Sequence, residues 1–208
     1  MFITFEGGEG SGKSTQLTLL HESLEKAGVS CMKTREPGGS DGAERIRRLL
    51  VEGRADAWNA EAETLLFYAA RLDHVNRLVK PALAAGKTVL CDRFADSTLV
   101  YQGIGKGLSE EYIRSLHHLT LGNFAPDLTI ILDIDPAIGL KRALERRGGE
   151  TRFEALGLEF HQRIRAGFLS IAQAEPGRCV VANAAGKIEK IHEHIVDAIH
   201  TRLGLMIC

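Results

Sequence analysis

Phe2-Ile3-Thr4-Phe5-Glu6-Gly7-Gly8-Glu9-Gly10-Ser11-Gly12-Lys13-Ser14-Thr15 stands at the head of the chain, and its reading decides the fold. Residues 7–14 match the G-x-x-x-x-G-K-[ST] phosphate-binding loop in full. They sit between an apolar run and a stretch of helical period, the strand–loop–helix setting the motif requires. Glycine lets successive backbone N–H groups curl inward around an anion at positive φ. In that geometry Gly7, Gly8, Glu9, Gly10, Ser11 and Gly12 cradle phosphates and Lys13 reaches the outer ones. Ser14 can ligate Mg²⁺, and Thr15 follows at a helix N-terminus aimed at the charge. The reading is a nucleoside triphosphate site; the motif leaves open what receives the phosphate.

Working outward, 208 residues with 44% hydrophobic content can bury one good core, so one domain over residues 1–208 with lid-like excursions is expected. Lys plus Arg total 26 against 27 acids, a balance that favours neither a nucleic-acid nor a membrane partner. Cys31, Cys91, Cys179 and Cys208 form no C-x-x-C pair, and Cys31 and Cys91 lie in strand-like runs. No stretch approaches the roughly 18 apolar residues of a membrane span, and no basic segment precedes the first strand. A reduced, cytoplasmic protein is the expectation.

Short apolar runs at residues 2–6, 29–34, 88–92, 128–134 and 178–182 alternate with longer segments of helical period. That rhythm predicts an α/β fold, a five-stranded parallel sheet flanked by helices. Leu17, Leu20 and Leu24 set a helix over residues 16–27 that stops at Gly28. Asn59 caps a long helix whose Leu65, Leu66, Ala69, Leu72, Val75 and Leu78 are expected to line one face, with Pro81 bending its last turn. Ser109-Glu110-Glu111 and Asp135-Pro136 open two more helices, and residues 187–203 close the chain.

Three clusters fall where such a sheet places ligands, beyond the carboxyl ends of strands. Thr34-Arg35-Glu36-Pro37-Gly38-Gly39 follows the second strand. Asp92-Arg93-Phe94-Ala95-Asp96-Ser97-Thr98 follows the third, where Asp92 can serve as a second carboxylate near Mg²⁺. Arg142, Arg146, Arg147 and Arg152 surround Gly148-Gly149. Singly, each has a plain reading: a turn, a surface ion pair, and a complement to a helix dipole.

In their order these segments, with Leu66-Phe67-Tyr68-Ala69-Ala70-Arg71, Tyr101-Gln102-Gly103 and Pro126-Asp127-Leu128-Thr129 leading to Leu132-Asp133, resemble the thymidylate kinase family over nearly the whole chain. The resemblance implies the nucleoside monophosphate kinase variant of the P-loop fold with a mobile lid at about residues 142–153. It further implies phosphorylation of dTMP by Mg-ATP, and a homodimer. It assigns Phe67 to stack on thymine, Arg71 to donate to a base carbonyl, and Thr98 and Gln102 to complete the base contacts. Tyr101 lies against the sugar edge, Arg93 and Arg47 clamp the acceptor phosphate, and Arg35 and Glu36 frame sugar and phosphate from the other side. The loop positions carry no basic residue, which marks the type with catalytic arginines in the lid. Arg147 and Arg152 are the candidates, with Glu9 as the loop carboxylate and Lys13 on the donor phosphates. Asn183-Ala184-Ala185-Gly186 resembles the adenine cradle, with Arg142 on its face.

One departure is Phe94, where the family often has Tyr. The histidines at 117, 118, 192 and 194 read as surface or satisfied residues rather than metal ligands. A kinase for another small acceptor, and an ATP-binding switch without turnover, are the competing readings. Phe67, Arg71, Thr98 and Tyr101 argue against the first, and the retained arginines against the second.

Overall fold

The computed structural model describes residues 1–54, 56–145 and 152–206. Five strands among them, β1 (Phe2–Glu6), β2 (Cys31–Arg35), β3 (Thr88–Asp92), β4 (Leu128–Asp133) and β5 (Cys179–Asn183), form one parallel sheet in the order β2-β3-β1-β4-β5. Around it lie α1 (Lys13–Lys26), α2 (Asp41–Val51), α3 (Ala60–His74), α4 (Lys80–Ala84), α5 (Ala95–Thr98), α6 (Glu110–Leu121), α7 (Pro136–Glu145), α8 (Leu158–Ala174) and α9 (Ile188–Leu203).

The alternating side-chain directions of the strands sort the core into layers. Ile3 and Phe5 of β1 pack with Leu17, Leu20 and Leu24 of α1 and Ile191, Ile195 and Ile199 of α9 on one face. On the other, Phe2 and Val89 meet Val75, Val79 and Phe94, while Ile131 meets Phe160, Ile164 and Phe168 of α8. All five residues of β1 are buried, because it is flanked by β3 and β4 and covered on both faces. The chain leaves β1 toward β2 on one side and leaves β3 toward β4 on the other. The loops after these neighbouring strands therefore diverge and open a crevice between them.

The caps follow the sequence. Asn59 Oδ1 accepts from Ala62 N at 2.8 Å, Ser109 Oγ from Tyr112 N at 3.1 Å, and Asp135 Oδ1 from Ala137 N at 2.9 Å. Beyond α3 the helix does not simply kink at Pro81: it runs through a π-helical segment, Val75–Val79, before α4 begins. A second π-helical segment, Leu99–Gly105, carries Tyr101 and Gln102.

The face of α3 departs from expectation. Leu65 is 50% exposed and Ala69 is exposed, whereas Glu63, Thr64, Tyr68, Ala70, Arg71 and His74 are buried. Of the expected face, Val75 is buried and Leu72 packs against the core, while Leu65 and Ala69 point outward because the inner side of the helix is taken by polar groups that find partners inside the protein.

The phosphate-binding loop is braced from outside its own motif. A Cβ on Gly10, at φ 65°, would lie 1.9 Å from the Gly139 carbonyl oxygen, and one on Gly139 would lie 2.4 Å from the Glu9 carbonyl oxygen. Loop and α7 thus touch backbone to backbone. Gly139→Ala in a helix would ordinarily stabilise by about 0.5–1 kcal/mol, but overpacking costs about 1–3 kcal/mol. Urea unfolding should show a net loss of stability; a variant as stable as the parent would mean that the contact yields freely.

Candidate active site

Three of the four loop glycines adopt the positive φ expected: 133° at Gly7, 65° at Gly10 and 91° at Gly12, where α1 starts. A Cβ at Gly7 would stand 2.5 Å from the Leu132 carbonyl oxygen, so only glycine fits the cradle. Lys13 Nζ folds back on the loop, donating to the Gly7 carbonyl at 3.1 Å, the Gly8 carbonyl at 2.8 Å and Ser11 Oγ at 3.4 Å. Burial foremost, and then the Arg93 charge, lower its pKa to about 8, against the pull of Glu9, Asp92 and Glu6. Ser14 Oγ donates to Asp92 Oδ2 at 2.8 Å. A hydroxyl and a carboxylate meeting beside an anion cradle are the oxygen donors that a Mg²⁺–triphosphate needs, so these residues fit that group. Thr15 lies exposed in the first turn of α1.

Beside the loop opens a cleft with an empty volume of about 680 Å³. Phe67 and Arg71 of α3, Arg93 and Thr98 after β3, and Tyr101 and Gln102 of the π-helical segment all line it, as do Arg47 and Glu9. The structure thus brings together residues drawn from five separate stretches of sequence. Arg71 is 2% exposed and clamped: Nε donates to Glu36 Oε2 at 2.6 Å, and NH2 donates to the Phe94 carbonyl at 3.1 Å and Thr98 Oγ1 at 3.0 Å. Its NH1 is buried without a hydrogen-bond partner among the described residues.

Arg93 sits at positive φ, 71°, between cleft and loop. Its NH1 donates to the Gly7 carbonyl and Ser97 Oγ, and its NH2 to Glu9 Oε1 at 2.9 Å and Tyr101 Oη at 3.2 Å. Tyr101 Oη also donates to Glu9 Oε1 at 2.9 Å. Burial pushes the Glu9 carboxyl up, but Arg93, Lys13 and the Tyr101 hydrogen bond outweigh it and hold the pKa at about 2. Arg47 donates to the Pro37 carbonyl at the rim. Phe94 packs without a hydroxyl, 1% exposed and edge-on to Phe2 at 5.0 Å.

Three placements differ from the sequence reading. Arg35 does not line the cleft; its exposed guanidinium donates to Glu44 at 3.3 Å. Glu36 does reach the cleft, but its two oxygens are taken by Arg71 and by His74 Nδ1 at 2.9 Å, so it orients Arg71. Arg152 is not free to cover a transferring group: it is 3% exposed and ion-paired to Glu63 at 2.5 Å, with NH1 on the Leu50 carbonyl at 2.8 Å. Arg147, with Arg146, Gly148 and Gly149, lies outside the described residues. Arg142 NH1 donates to the Ala184 carbonyl at 3.3 Å, and Asn183 Oδ1 accepts from Ala185 N at 3.0 Å, which joins α7 to the loop after β5. His117, His192 and His194 bond to the Phe124 carbonyl, Ser23 and the Val181 carbonyl.

Sequence reasoning missed Glu6, the last residue of β1. Its carboxylate is wholly buried and accepts from Phe94 N at 2.8 Å, Ser97 N at 3.3 Å and Ser97 Oγ at 2.6 Å. It thereby fixes the turn that holds Arg93. An acid among apolar neighbours was the available signal, since a central strand tolerates one only if it is bonded. Burial, reinforced by Asp96, raises its pKa to about 7.

That value sets a stability slope. The folded state binds the proton more tightly than the unfolded chain, so stability is full below about pH 4.5 and falls as pH rises to about 7, by on the order of 3 kcal/mol. Glu6→Gln keeps an acceptor for the two backbone N–H groups and removes the titration. Across pH 4.5–7.5 the urea midpoint of the parent should fall relative to that of the variant; parallel curves would show that Glu6 titrates normally.

The comparisons place this geometry. Residues 5–195 match the family model described as thymidylate kinase. The chain is 53% identical over 204 residues to the thymidylate kinase of Caulobacter vibrioides, covering 98% of each chain. It is 50% identical to that of Ruegeria pomeroyi, over 98% of this chain and 96% of the relative. A crystal structure of thymidylate kinase from Ehrlichia chaffeensis superposes with a TM-score of 0.78 at 35% identity, over 96% of this chain and 98% of that one. A complete phosphate loop, an aromatic and arginine-lined cleft against it, and likeness along the full length have one explanation: the chain belongs to the thymidylate kinase family.

Proposed function

We infer that this protein transfers the γ-phosphoryl group of ATP to a 5′-phosphate oxygen of dTMP, giving dTDP and ADP for dTTP synthesis. One observation carries the choice of acceptor. The unpartnered, buried NH1 of Arg71 lies in a cleft walled by Phe67, and a buried donor without a partner calls for an acceptor such as a base carbonyl. The Phe67 ring offers the stacking face.

Phosphoryl transfer depends on positioning and charge neutralisation. The bond formed joins a dTMP phosphate oxygen to the γ-phosphorus, and the bond broken is the β–γ bridge, with ADP leaving. Lys13 and the loop N–H groups hold the donor phosphates, with Asn183 and Arg142 at the adenine. Arg93 and Arg47 hold the acceptor phosphate, Arg93 being oriented in advance by Glu9, Ser97 and Tyr101. Tyr101 and Glu9 close the sugar edge. Mg²⁺, held by Ser14 and Asp92, would neutralise charge on the donor phosphates. In this reading the chain is one domain, with a lid at about residues 142–153 from which Arg147 reaches the transferring group.

We also propose that the protein works in the cytoplasm, where nucleotide pools lie, and as a homodimer. Free thiols at Cys31, Cys91 and Cys179 suit a reducing compartment. Leu65 of α3, 50% exposed, and Leu49 of α2, 49% exposed, offer apolar surface for a second copy. Among the described residues no helix is long and apolar enough to cross a membrane.

A coupled ADP-release assay with Mg-ATP tests the activity. dTMP should exceed dUMP in kcat/KM by about 10 to 200-fold, the worth of one methyl in an apolar pocket. Equal use would remove the methyl contact, and no use of dTMP would overturn the assignment. The pH profile tests Lys13. With a pKa of about 8 the free enzyme loses this cation progressively, so kcat/KM for ATP should be level below about pH 7 and decline through pH 8. A profile level to pH 9.5 would show that Lys13 stays charged.

A further inference from the structure

Glu63, on the first turn of α3, is a fully buried carboxylate with three donors around it: Gln102 Nε2 at 2.8 Å, Lys106 Nζ at 2.7 Å and Arg152 NH2 at 2.5 Å. The three come from the π-helical segment, its following residue, and the stretch that returns to α8. Arg152 also donates to the Leu50 carbonyl at 2.8 Å and the Arg54 carbonyl at 3.0 Å. The former belongs to the last turn of α2, where carbonyls lack helical partners and the helix dipole favours a cation. One guanidinium thus neutralises Glu63 and caps a helix.

The residue that follows, Phe153, lines the cleft. Its ring centroid lies 6.3 Å from that of Phe67 and 5.6 Å from that of Tyr101. The Arg152 guanidinium is 5.3 Å and Lys106 Nζ 5.6 Å from the same centroid. On the other side, the Phe153 carbonyl pairs with His161 Nε2 at 3.1 Å. Glu63 therefore anchors, through its bonds to Gln102 and Arg152, two separate walls of the cleft.

We propose that Arg152 is a positioning residue for acceptor binding: its pairing with Glu63 seats Phe153 as an aromatic wall of the cleft, beside Phe67 and Tyr101. The proposal rests on the dTMP kinase reading and assigns Arg152 a role distinct from covering the transferring phosphoryl group. Withdrawing Arg152 toward the phosphates would take the guanidinium from a buried carboxylate and free two carbonyls, a disruption that buried pairs resist. The consequence is a separation of kinetic constants, because an interaction equal in ground and transition states changes KM and leaves kcat.

The test uses the full chain with Arg152→Met, Arg152→Lys, Glu63→Gln and Phe153→Leu. Three readouts are taken: steady-state kinetics with dTMP varied at saturating Mg-ATP, calorimetric binding of dTMP alone, and emission of Trp58. Trp58 is the only tryptophan, and its Nε1 donates to the Leu49 carbonyl at 3.0 Å, one residue from an Arg152 anchor. Arg152→Met and Phe153→Leu should raise both KM and Kd for dTMP by about tenfold with kcat within about threefold of the parent. Arg152→Lys should recover part of the affinity. Trp58 emission should shift in Arg152→Met and stay in place in Phe153→Leu. A hundredfold fall in kcat with dTMP affinity intact would make Arg152 a residue of the transfer step and overturn the proposal, as would unmoved KM and Kd in both variants. Should Arg152→Met fail to fold, Phe153→Leu and Glu63→Gln carry the same comparison. A parent enzyme that turns over no dTMP overturns the functional reading; an active parent with indifferent variants overturns only this one.

Discussion

A single guanidinium joins the two halves of the site. Arg93 donates to the Gly7 carbonyl of the phosphate loop, to Glu9, and to Ser97 and Tyr101 of the cleft. Its positive φ is uncommon for a residue with a long side chain and persists only where surroundings over-determine it. Here they do: the Arg93 N–H donates to the Phe5 carbonyl at 2.9 Å, while Glu6 holds the next N–H and Ser97. The strain is carried by the most buried strand of the sheet, so donor and acceptor sites share one rigid reference.

The same device recurs at a distance from the phosphates. Cations in and beside the cleft each have a carboxylate behind them: Glu36 for Arg71, Glu63 for Arg152 and Lys106, and Glu9 for Arg93. Such pairs add little net stability over apolar packing, because both charges must be desolvated. What they supply is direction. Arg71 has its Nε and NH2 committed to Glu36, Thr98 and a carbonyl, which leaves NH1 with one place to point.

The sheet was legible in the sequence because β1, β3 and β4 are buried on both faces and so read as short, mainly apolar runs; the expected start of β2 lies two residues early, its edge position leaving it half exposed and its boundary soft. The loop was legible because its chemistry demands glycine and lysine at fixed spacing. Its support by Gly139 was not, since a lone glycine in a helix carries no mark of the backbone opposite it. The face of α3 was legible only in part, at Leu72 and Val75, for a related reason. Periodicity ranks faces by hydrophobicity, and a helix that lines the cleft buries Thr64, Arg71 and His74 while leaving Leu65 outside. Arg152 looked like a lid arginine because glycines precede it; its partner Glu63 is 89 positions earlier in the sequence, a separation that no local pattern reports.

The charges around the loop suit it to phosphates. Burial foremost, and then the opposing charge of Arg93, lower the pKa of Lys13 to about 8. Glu9 relieves only part of that cost. Two polyanionic substrates entering from opposite sides of Arg93 would remove the repulsion that the free protein sustains. The protein's own folding, through Glu6, Glu9 and the Gly10–Gly139 contact, holds the cations in place before either substrate arrives. Little reorganisation then remains for the transfer step, which is where preorganised charge has its largest effect on rate.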